Sequence, residues 1–166
     1  MSTKENFSRA LANEALNREL YLAFAEKAQS EGQDQLAKVF RASAESELVH
    51  ARAQMHEMDL IGSAEDNLRY AVAAEEREFQ DNYAAYLHEA REEGDERAAE
   101  LFARFLKVER AHYKMFSALL AVLTKGKDLP ENSIYVCPTC GNTVLENRPT
   151  ECEICGGAGA DFMDIA

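Results

Sequence analysis

Glu47-Leu48-Val49-His50 and Glu109-Arg110-Ala111-His112 are two copies of the pattern Glu-x-x-His, and 62 residues separate them. Residues three apart lie on one face of a helix, so each copy directs a carboxylate and an imidazole toward the same point. A single copy arises by chance on many solvent-exposed helices. Two copies at a fixed spacing indicate two facing helices that bind metal ions together.

A wider internal repeat surrounds the two motifs. Pairs of identical residues at the same spacing of 62 include Tyr21 and Tyr83, Ala28 and Ala90, Gly32 and Gly94, and Phe40 and Phe102. The first two-thirds of the chain is therefore predicted to be one helix pair duplicated. The fold class that follows is mainly α, an antiparallel ferritin-like four-helix bundle.

Caps and glycines predict where the four helices begin and end. Ser2 with Glu5, and Ser63 with Asp66, resemble capping boxes that open the first and third helices. Other helix boundaries are predicted at Gly32, Asp34, Gly62, Gly94, Asp95 and Gly126. The bundle is assigned to residues 1–126, a linker to 127–131, and a small C-terminal domain to 132–166.

Composition excludes several classes of partner. The net charge of −12 argues against nucleic acid, whose phosphates require a basic face. No apolar run approaches the roughly 20 residues of a membrane span, and the N-terminal residues have no signal-peptide character. We therefore expect no membrane partner and a cytoplasmic location, where paired cysteines are metal ligands more often than disulfides.

Glutamates occupy predicted core positions of the bundle. Glu14, Glu47 and Glu109 each interrupt an apolar stripe, and an unpaired carboxylate inside a bundle is costly. In the third helix the stripe carries Glu75 and Glu78 and then slips by one residue before Tyr83. One extra residue predicts a π-bulge, a feature that is frequent at functional sites.

The carboxylates and histidines together predict a site for two metal ions. The expected ligands are Glu14, Glu47, His50, Glu75, Glu78, Glu109 and His112. Five carboxylates nearly neutralise two divalent ions, and oxygen-rich ligation favours iron or manganese over a structural zinc site. For a lone glutamate a solvated helix face is the usual interpretation. Tyr21 and Tyr83 are either core aromatics or proton donors beside the metals.

The C-terminal residues contain all four cysteines, in two matching Cys-x-x-Cys-Gly turns. The predicted ligands of a single tetrahedral ion are Cys137, Cys140, Cys152 and Cys155. A segment of this size builds no apolar core of its own and needs a metal for stability. A structural zinc ribbon and an electron-carrying iron centre both fit the pattern.

Taken together, these motifs resemble the rubrerythrin family over essentially the whole chain: a ferritin-like di-iron bundle followed by a rubredoxin-like domain whose iron is held by four cysteines. The resemblance implies reduction of hydrogen peroxide to water at a diferrous site, in defence against oxidative stress. The rubredoxin-like iron would return electrons one at a time from rubredoxin or an NAD(P)H-dependent reductase. It also implies a homodimer, catalytic roles for Tyr21, Tyr83 and Glu78, and an exchange of one iron between His50 and Glu78.

One position departs from the family pattern. Asn142 follows the first knuckle glycine, where the family usually has an aromatic residue. The chain has no tryptophan, so the aromatic side chain that packs near the metal in this domain is expected to be Tyr135 or Phe162. Two other functions stay open from the sequence: a ferroxidase that handles iron, and a non-enzymatic bundle with a structural zinc ribbon.

Overall fold

The structure is a computed structural model that describes residues 2–165. It is mainly α-helical, as the repeat predicts, with a small sheet near the C-terminus. The chain divides into two compact units, Met1–Gly62 and Ser63–Ala166. None of the helices among the described residues has the length and apolar character needed to cross a membrane.

The first unit is a hairpin of two helices, α1 (Thr3–Ser30) and α2 (Asp34–Glu57). The predicted capping box is present at its start, where the Glu5 N–H donates to Ser2 Oγ at 3.3 Å. Small side chains fill the contact between the helices, and the buried ones are Ala25, Ala28, Ala37, Ala44 and Ala51. Because alanine ends at Cβ, the two helix axes approach closely.

The second helix ends earlier than the sequence predicts. Gly62 was expected to terminate it, but α2 ends at Glu57 and the chain turns at Asp59, whose φ is +50°. The Leu60 N–H then donates to the Met55 carbonyl at 3.0 Å. Aspartate tolerates this left-handed conformation better than most residues do, so a glycine is not needed to stop the helix.

Larger apolar side chains of the first unit remain exposed. Leu16 is 59% exposed, Val39 52% and Val49 65%, although all three lie on long helices. Alanine contacts alone bury little apolar surface, and burial of apolar surface is the main stabilising contribution in a helical hairpin. The hairpin therefore carries an apolar surface beyond the one that its own two helices share.

The second unit begins with three helical segments, α3 (Ala64–Arg77), α4 (Tyr83–Glu93) and α5 (Glu96–Leu123). Ser63 and Asp66 form the predicted capping box of α3. Gly94 ends α4 with a φ of +73°, and Asp95 Oδ1 accepts a hydrogen bond from the Ala98 N–H at 2.9 Å. These caps confirm the sequence prediction for the start of α3 and for the turn between α4 and α5.

A π-helical turn joins α3 to α4 and spans Glu78–Asn82. It lies between Glu75 and Tyr83, where the apolar stripe slips by one residue, so the predicted bulge is confirmed. The turn takes up the extra residue without ending the helix. As a result Glu75 and Tyr83 both occupy the helix positions that the internal repeat predicts for them, despite the extra residue between them.

The C-terminal part of the second unit contains three short antiparallel strands, β1 (Ile134–Val136), β2 (Thr143–Leu145) and β3 (Met163–Ile165), in the order β2-β1-β3. We call residues 132–165 the cysteine module. Its buried core joins Cys137, Cys140, Cys152 and Phe162 to Val108 of α5. Tyr135 packs against this core, so both expected aromatics are near the cysteines. The domain boundaries assigned from sequence, with a linker at 127–131, remain a prediction.

Deletion of Gln80, an exposed residue within the π turn, is expected to convert the turn to regular α-helix and to change the free energy of unfolding by less than about 1 kcal/mol. Deletion of the equally exposed Glu89 in α4 rotates the flanking helix segments relative to each other and should cost about 3 kcal/mol or more. Urea unfolding followed by far-ultraviolet circular dichroism measures both. Equal losses would mean that the turn does not absorb an inserted residue.

Candidate metal centres

The hairpin of the first unit brings three predicted ligands together. Glu14 on α1 lies beside Glu47 and His50 on α2, and a ligand atom from each lies within 4.8 Å of the others. His50 Nδ1 is 3.6 Å from a carboxylate oxygen of Glu14 and 3.6 Å from one of Glu47. The i, i+3 spacing of Glu47 and His50 on one helix face produces this convergence. We call this group the hairpin cluster.

Repulsion between carboxylates is visible in the hairpin cluster. The side-chain hydrogen bond with Glu14 raises the pKa of Glu47 above its ordinary value, and burial and the negative charge of Glu14 act in the same direction. A proton or a cation between the two carboxylates relieves the repulsion. The donors present, two carboxylates and one imidazole, suit a divalent metal ion such as iron or manganese.

The second unit contains an equivalent cluster. Glu75 on α3 lies beside Glu109 and His112 on α5, again with one ligand atom of each within 4.8 Å of the others. His112 Nδ1 is 2.9 Å from Glu109 Oε2 and 3.7 Å from Glu75 Oε2. All three side chains are largely buried in this unit. We call this group the α5 cluster.

The charges of the α5 cluster are strongly coupled. Burial, and then the hydrogen bond with Glu109, raises the pKa of Glu75 to about 7. Burial opposes ionisation of Glu109 as well, but hydrogen bonds with His112 and Glu75 lower its pKa. The hydrogen bond with Glu109 raises the pKa of His112. Glu75 therefore holds a proton near neutral pH, and the raised pKa of His112 favours its protonated form, at positions that a metal cation would occupy.

Glu78 is the one predicted bundle ligand that lies outside both clusters. It is the first residue of the π turn, and its carboxylate does not belong to the group formed by Glu75, Glu109 and His112. Burial, and then the negative charge of Glu109, raises the pKa of Glu78. The charge of Glu109 therefore acts on Glu78 although the two are not grouped as ligands. Its metal-binding role remains a prediction.

The two predicted tyrosines lie in aromatic groups. The Tyr21 ring centre is 6.4 Å from that of Phe40 in the first unit. In the second unit the Tyr83 ring centre is 5.7 Å from that of Phe105. Burial, and then the charges of Glu109 and Glu78, raises the pKa of Tyr83, so its hydroxyl keeps its proton over the physiological range.

The four cysteines of the cysteine module converge in the geometry of a tetrahedral metal site. Sγ of Cys137 lies 3.6 Å from that of Cys155, and Sγ of Cys140 lies 3.6 Å from that of Cys152. A tetrahedron with metal–sulfur bonds of about 2.3 Å has edges of about 3.8 Å. All four cysteines are free thiols rather than disulfides. The donor set therefore fits one iron or zinc ion.

Backbone N–H groups point at the sulfurs of this site. Burial opposes ionisation of Cys152, but hydrogen bonds from the N–H groups of Cys155 and Ile154 lower its pKa to about 7. Burial raises the pKa of Cys140, and a hydrogen bond from the Asn142 N–H opposes that effect. Thiolates held by such N–H groups are ready to bind a cation.

His112 also contacts the cysteine module, which the sequence did not predict. Its Nε2 lies 3.2 Å from the Gly141 carbonyl oxygen and 3.3 Å from Thr143 Oγ1. Gly141 directly follows Cys140, a predicted metal ligand. If Nδ1 bound a metal ion, Nε2 would carry the ring proton and would donate a hydrogen bond to the carbonyl oxygen, as metal-binding histidines usually do. No local motif marks Gly141 or Thr143, because the contact depends on how the module packs on α5.

Comparison with known proteins identifies the family. The Rubrerythrin family model matches residues 5–120. The chain belongs to the rubrerythrin family. A rubrerythrin from Porphyromonas gingivalis is 32% identical over 96% of this chain and 88% of its own length. Nigerythrin from Nitratidesulfovibrio vulgaris is 30% identical over 93% of this chain and 82% of its own.

A solved structure of nigerythrin has a related fold. The structure described as the fully reduced, all-ferrous state of nigerythrin has a TM-score of 0.60 and 27% identity, and the match covers 99% of this chain and 87% of that one. Membership of the rubrerythrin family, with the carboxylate–histidine clusters and the four cysteines, supports an iron-binding oxidoreductase of the di-iron, oxidative-stress class. The role of each individual ligand remains a prediction.

Metal binding to the α5 cluster is expected to release more protons at about pH 6 than at about pH 8, because Glu75 and His112 lose protons as they bind a cation. Glu75→Gln should reduce the release at the lower pH by about one proton, whereas Glu76→Gln, which changes the exposed neighbour, should not. Calorimetric titration of the metal-depleted chain with Co²⁺, in buffers of different ionisation enthalpy, measures the protons. Equal release at both pH values would contradict the raised pKa values.

Proposed function

We propose that this chain is a non-haem di-iron peroxidase that reduces hydrogen peroxide to two water molecules, using two electrons and two protons. The electrons are proposed to arrive through an iron ion held by the four cysteines. The observation that carries this proposal is the position of His112. Its ring meets the carboxylates of the α5 cluster at Nδ1 and the residue after Cys140 at Nε2.

We propose that the hairpin cluster and the α5 cluster both bind iron. Each cluster has two carboxylates and one histidine, which is one half of the ligand set that di-iron bundle proteins use. With Glu78 the two clusters supply five carboxylates, enough to balance two divalent ions almost completely. Iron is the proposed metal because the ligands are rich in oxygen and because the related nigerythrin structure is described as all-ferrous.

Two ferrous ions at this site would supply the two electrons that cleavage of the peroxide O–O bond consumes. We propose that side chains near these ligands donate the protons. Tyr83 keeps its hydroxyl proton because burial raises its pKa, and Glu78 lies nearby with a raised pKa of its own. Glu78 and Tyr83 are therefore the proposed proton donors on the second unit, and Tyr21 is their counterpart on the first.

The contact between His112 and Gly141 favours a reductase over a ferroxidase. A protein that only oxidises and stores iron has no need for an attached centre that accepts external electrons. Here a hydrogen bond links the knuckle that carries Cys140 to a histidine of the α5 cluster. An external donor, rubredoxin or an NAD(P)H-dependent reductase, is the proposed source of electrons. We also propose a homodimer and a cytoplasmic location, since a reducing compartment keeps the four thiols reduced.

Loss of one carboxylate is expected to remove most metal from the cluster that contains it, because each cluster has only two carboxylates. Glu47→Gln should therefore lower the metal content of the hairpin cluster, and Glu109→Gln that of the α5 cluster. Metal analysis with the cysteine-bound ion as internal standard measures this. An unchanged metal content in either variant would contradict metal binding at that cluster.

Anaerobic stopped-flow of the fully reduced chain tests the function. Mixing with hydrogen peroxide should restore the colour of the ferric four-cysteine centre rapidly, and mixing with oxygen should restore it slowly. Glu78→Ala should slow the peroxide reaction at least about tenfold, in the range expected for loss of a proton-transfer group, while Glu76→Ala should not. A faster reaction with oxygen would favour a ferroxidase. A colourless protein after iron loading would indicate a zinc ribbon and leave the bundle without its proposed electron supply.

A further inference from the structure

The two Cys-x-x-Cys-Gly knuckles of the cysteine module have equivalent backbone hydrogen bonds but differ in side chain at one position. The N–H groups of Gly141 and Gly156 donate to the carbonyls of Cys137 and Cys152, both at 2.9 Å. The next residue in each knuckle is Asn142 or Gly157. Their carbonyls accept hydrogen bonds from the N–H groups of Cys137 and Cys152, at 2.9 and 2.8 Å. Asn142 and Gly157 are therefore equivalent positions, and only Asn142 has a side chain.

The backbone at these equivalent positions acts alike on the sulfurs. The Asn142 N–H donates to the thiol of Cys140, and the Gly157 N–H donates to that of Cys155. Such N–H groups are a general feature of Cys-x-x-Cys knuckles and stabilise negative charge on the sulfur. Each of these two positions therefore supplies one backbone N–H to the second cysteine of its own knuckle.

The side chain of Asn142 adds a donor that has no counterpart at Gly157. Asn142 is only 1% exposed and is the buried polar residue of the described part of this chain. Its Nδ2 lies 3.9 Å from Sγ of Cys152, across the site from its own knuckle. Burying a polar amide is unfavourable unless the amide finds a partner, so this contact explains a residue that apolar packing alone would not select.

We propose that Asn142 is a positioning residue that raises the reduction potential of an iron ion in the four-cysteine site through its side-chain hydrogen bond to Cys152. This inference rests on the proposed presence of iron at that site. Reduction of the iron adds one electron and places more negative charge on the sulfurs. A nearby N–H dipole stabilises the reduced form more than the oxidised form, so the potential rises.

The proposed effect matters for the direction of electron flow. A higher potential makes the cysteine-bound iron easier for an external donor to reduce and lowers its driving force toward the α5 cluster. An aromatic side chain at this position, as the family usually has, provides no amide donor. The potential of this chain is therefore expected to lie above that of its own variant with an apolar residue at 142.

Asn142→Leu keeps the approximate volume of the side chain and removes the N–H group. Its midpoint potential, measured by spectroelectrochemistry of the cysteine-bound iron in the full chain, should fall by at least about 59 mV, which is tenfold in a one-electron equilibrium constant. Asn142→Asp, which replaces the donor by a negative charge, should fall further. The matched control Asn147→Leu makes the same change at an exposed position of the module and should leave the potential unaltered.

A second measurement on the unaltered side chain keeps the proposal testable if the variants fail to bind metal. The full chain is loaded with ¹¹³Cd in place of iron, and NMR is used to look for scalar coupling between the Asn142 side-chain amide proton and the metal through Cys152. Detectable coupling supports the hydrogen bond, and its absence overturns the proposal, as does an unchanged potential in Asn142→Leu. Neither measurement uses peroxide, so the result is separate from that of the proposed peroxidase activity.

Discussion

Carboxylates that crowd together with little water around them need a compensating positive charge, and much of this protein follows from that constraint. The negative charges of Glu14 and Glu47 repel each other in the hairpin cluster, and those of Glu75 and Glu109 repel each other in the α5 cluster. Burial, and then the hydrogen bond with Glu109 and its negative charge, raises the pKa of Glu75 to about 7, so a proton relieves the repulsion there. A metal ion bound there would replace that proton and balance the negative charge of the carboxylates.

His112 connects this constraint to the rest of the second unit. One ring nitrogen faces the carboxylates, and the other faces the backbone of the cysteine module. Four residues earlier on the same face of α5, Val108 is buried against the cysteines and Phe162. The helix that carries Glu109 and His112 of the α5 cluster thus also supplies part of the core around the four cysteines. A module of this size buries little apolar surface by itself. Packing against α5 therefore both positions the module and stabilises it.

The cysteine module shows how a small metal site acquires individual properties. Its two knuckles have equivalent backbone hydrogen bonds, in which the N–H groups of Gly141 and Gly156 donate to the carbonyls of Cys137 and Cys152. Differences between the halves come from side chains, and Asn142 is the one whose polar group reaches across the site. Ligand identity decides that a metal binds, whereas donors around the sulfurs decide how readily that metal accepts an electron.

The sequence alone determined the features that depend on local spacing. The Glu-x-x-His repeat, the capping boxes at Ser2 and Ser63, the slip that becomes the π turn, and the paired Cys-x-x-Cys turns follow from short-range geometry that residue order specifies. The end of α2 was mispredicted because Asp59, and not a glycine, adopts the left-handed backbone conformation at that turn. Only the tertiary structure revealed the contact of His112 with Gly141 and that of Asn142 with Cys152. The first joins residues 29 positions apart and the second residues 10 positions apart, and both depend on how α5 and the two knuckles pack rather than on any short motif.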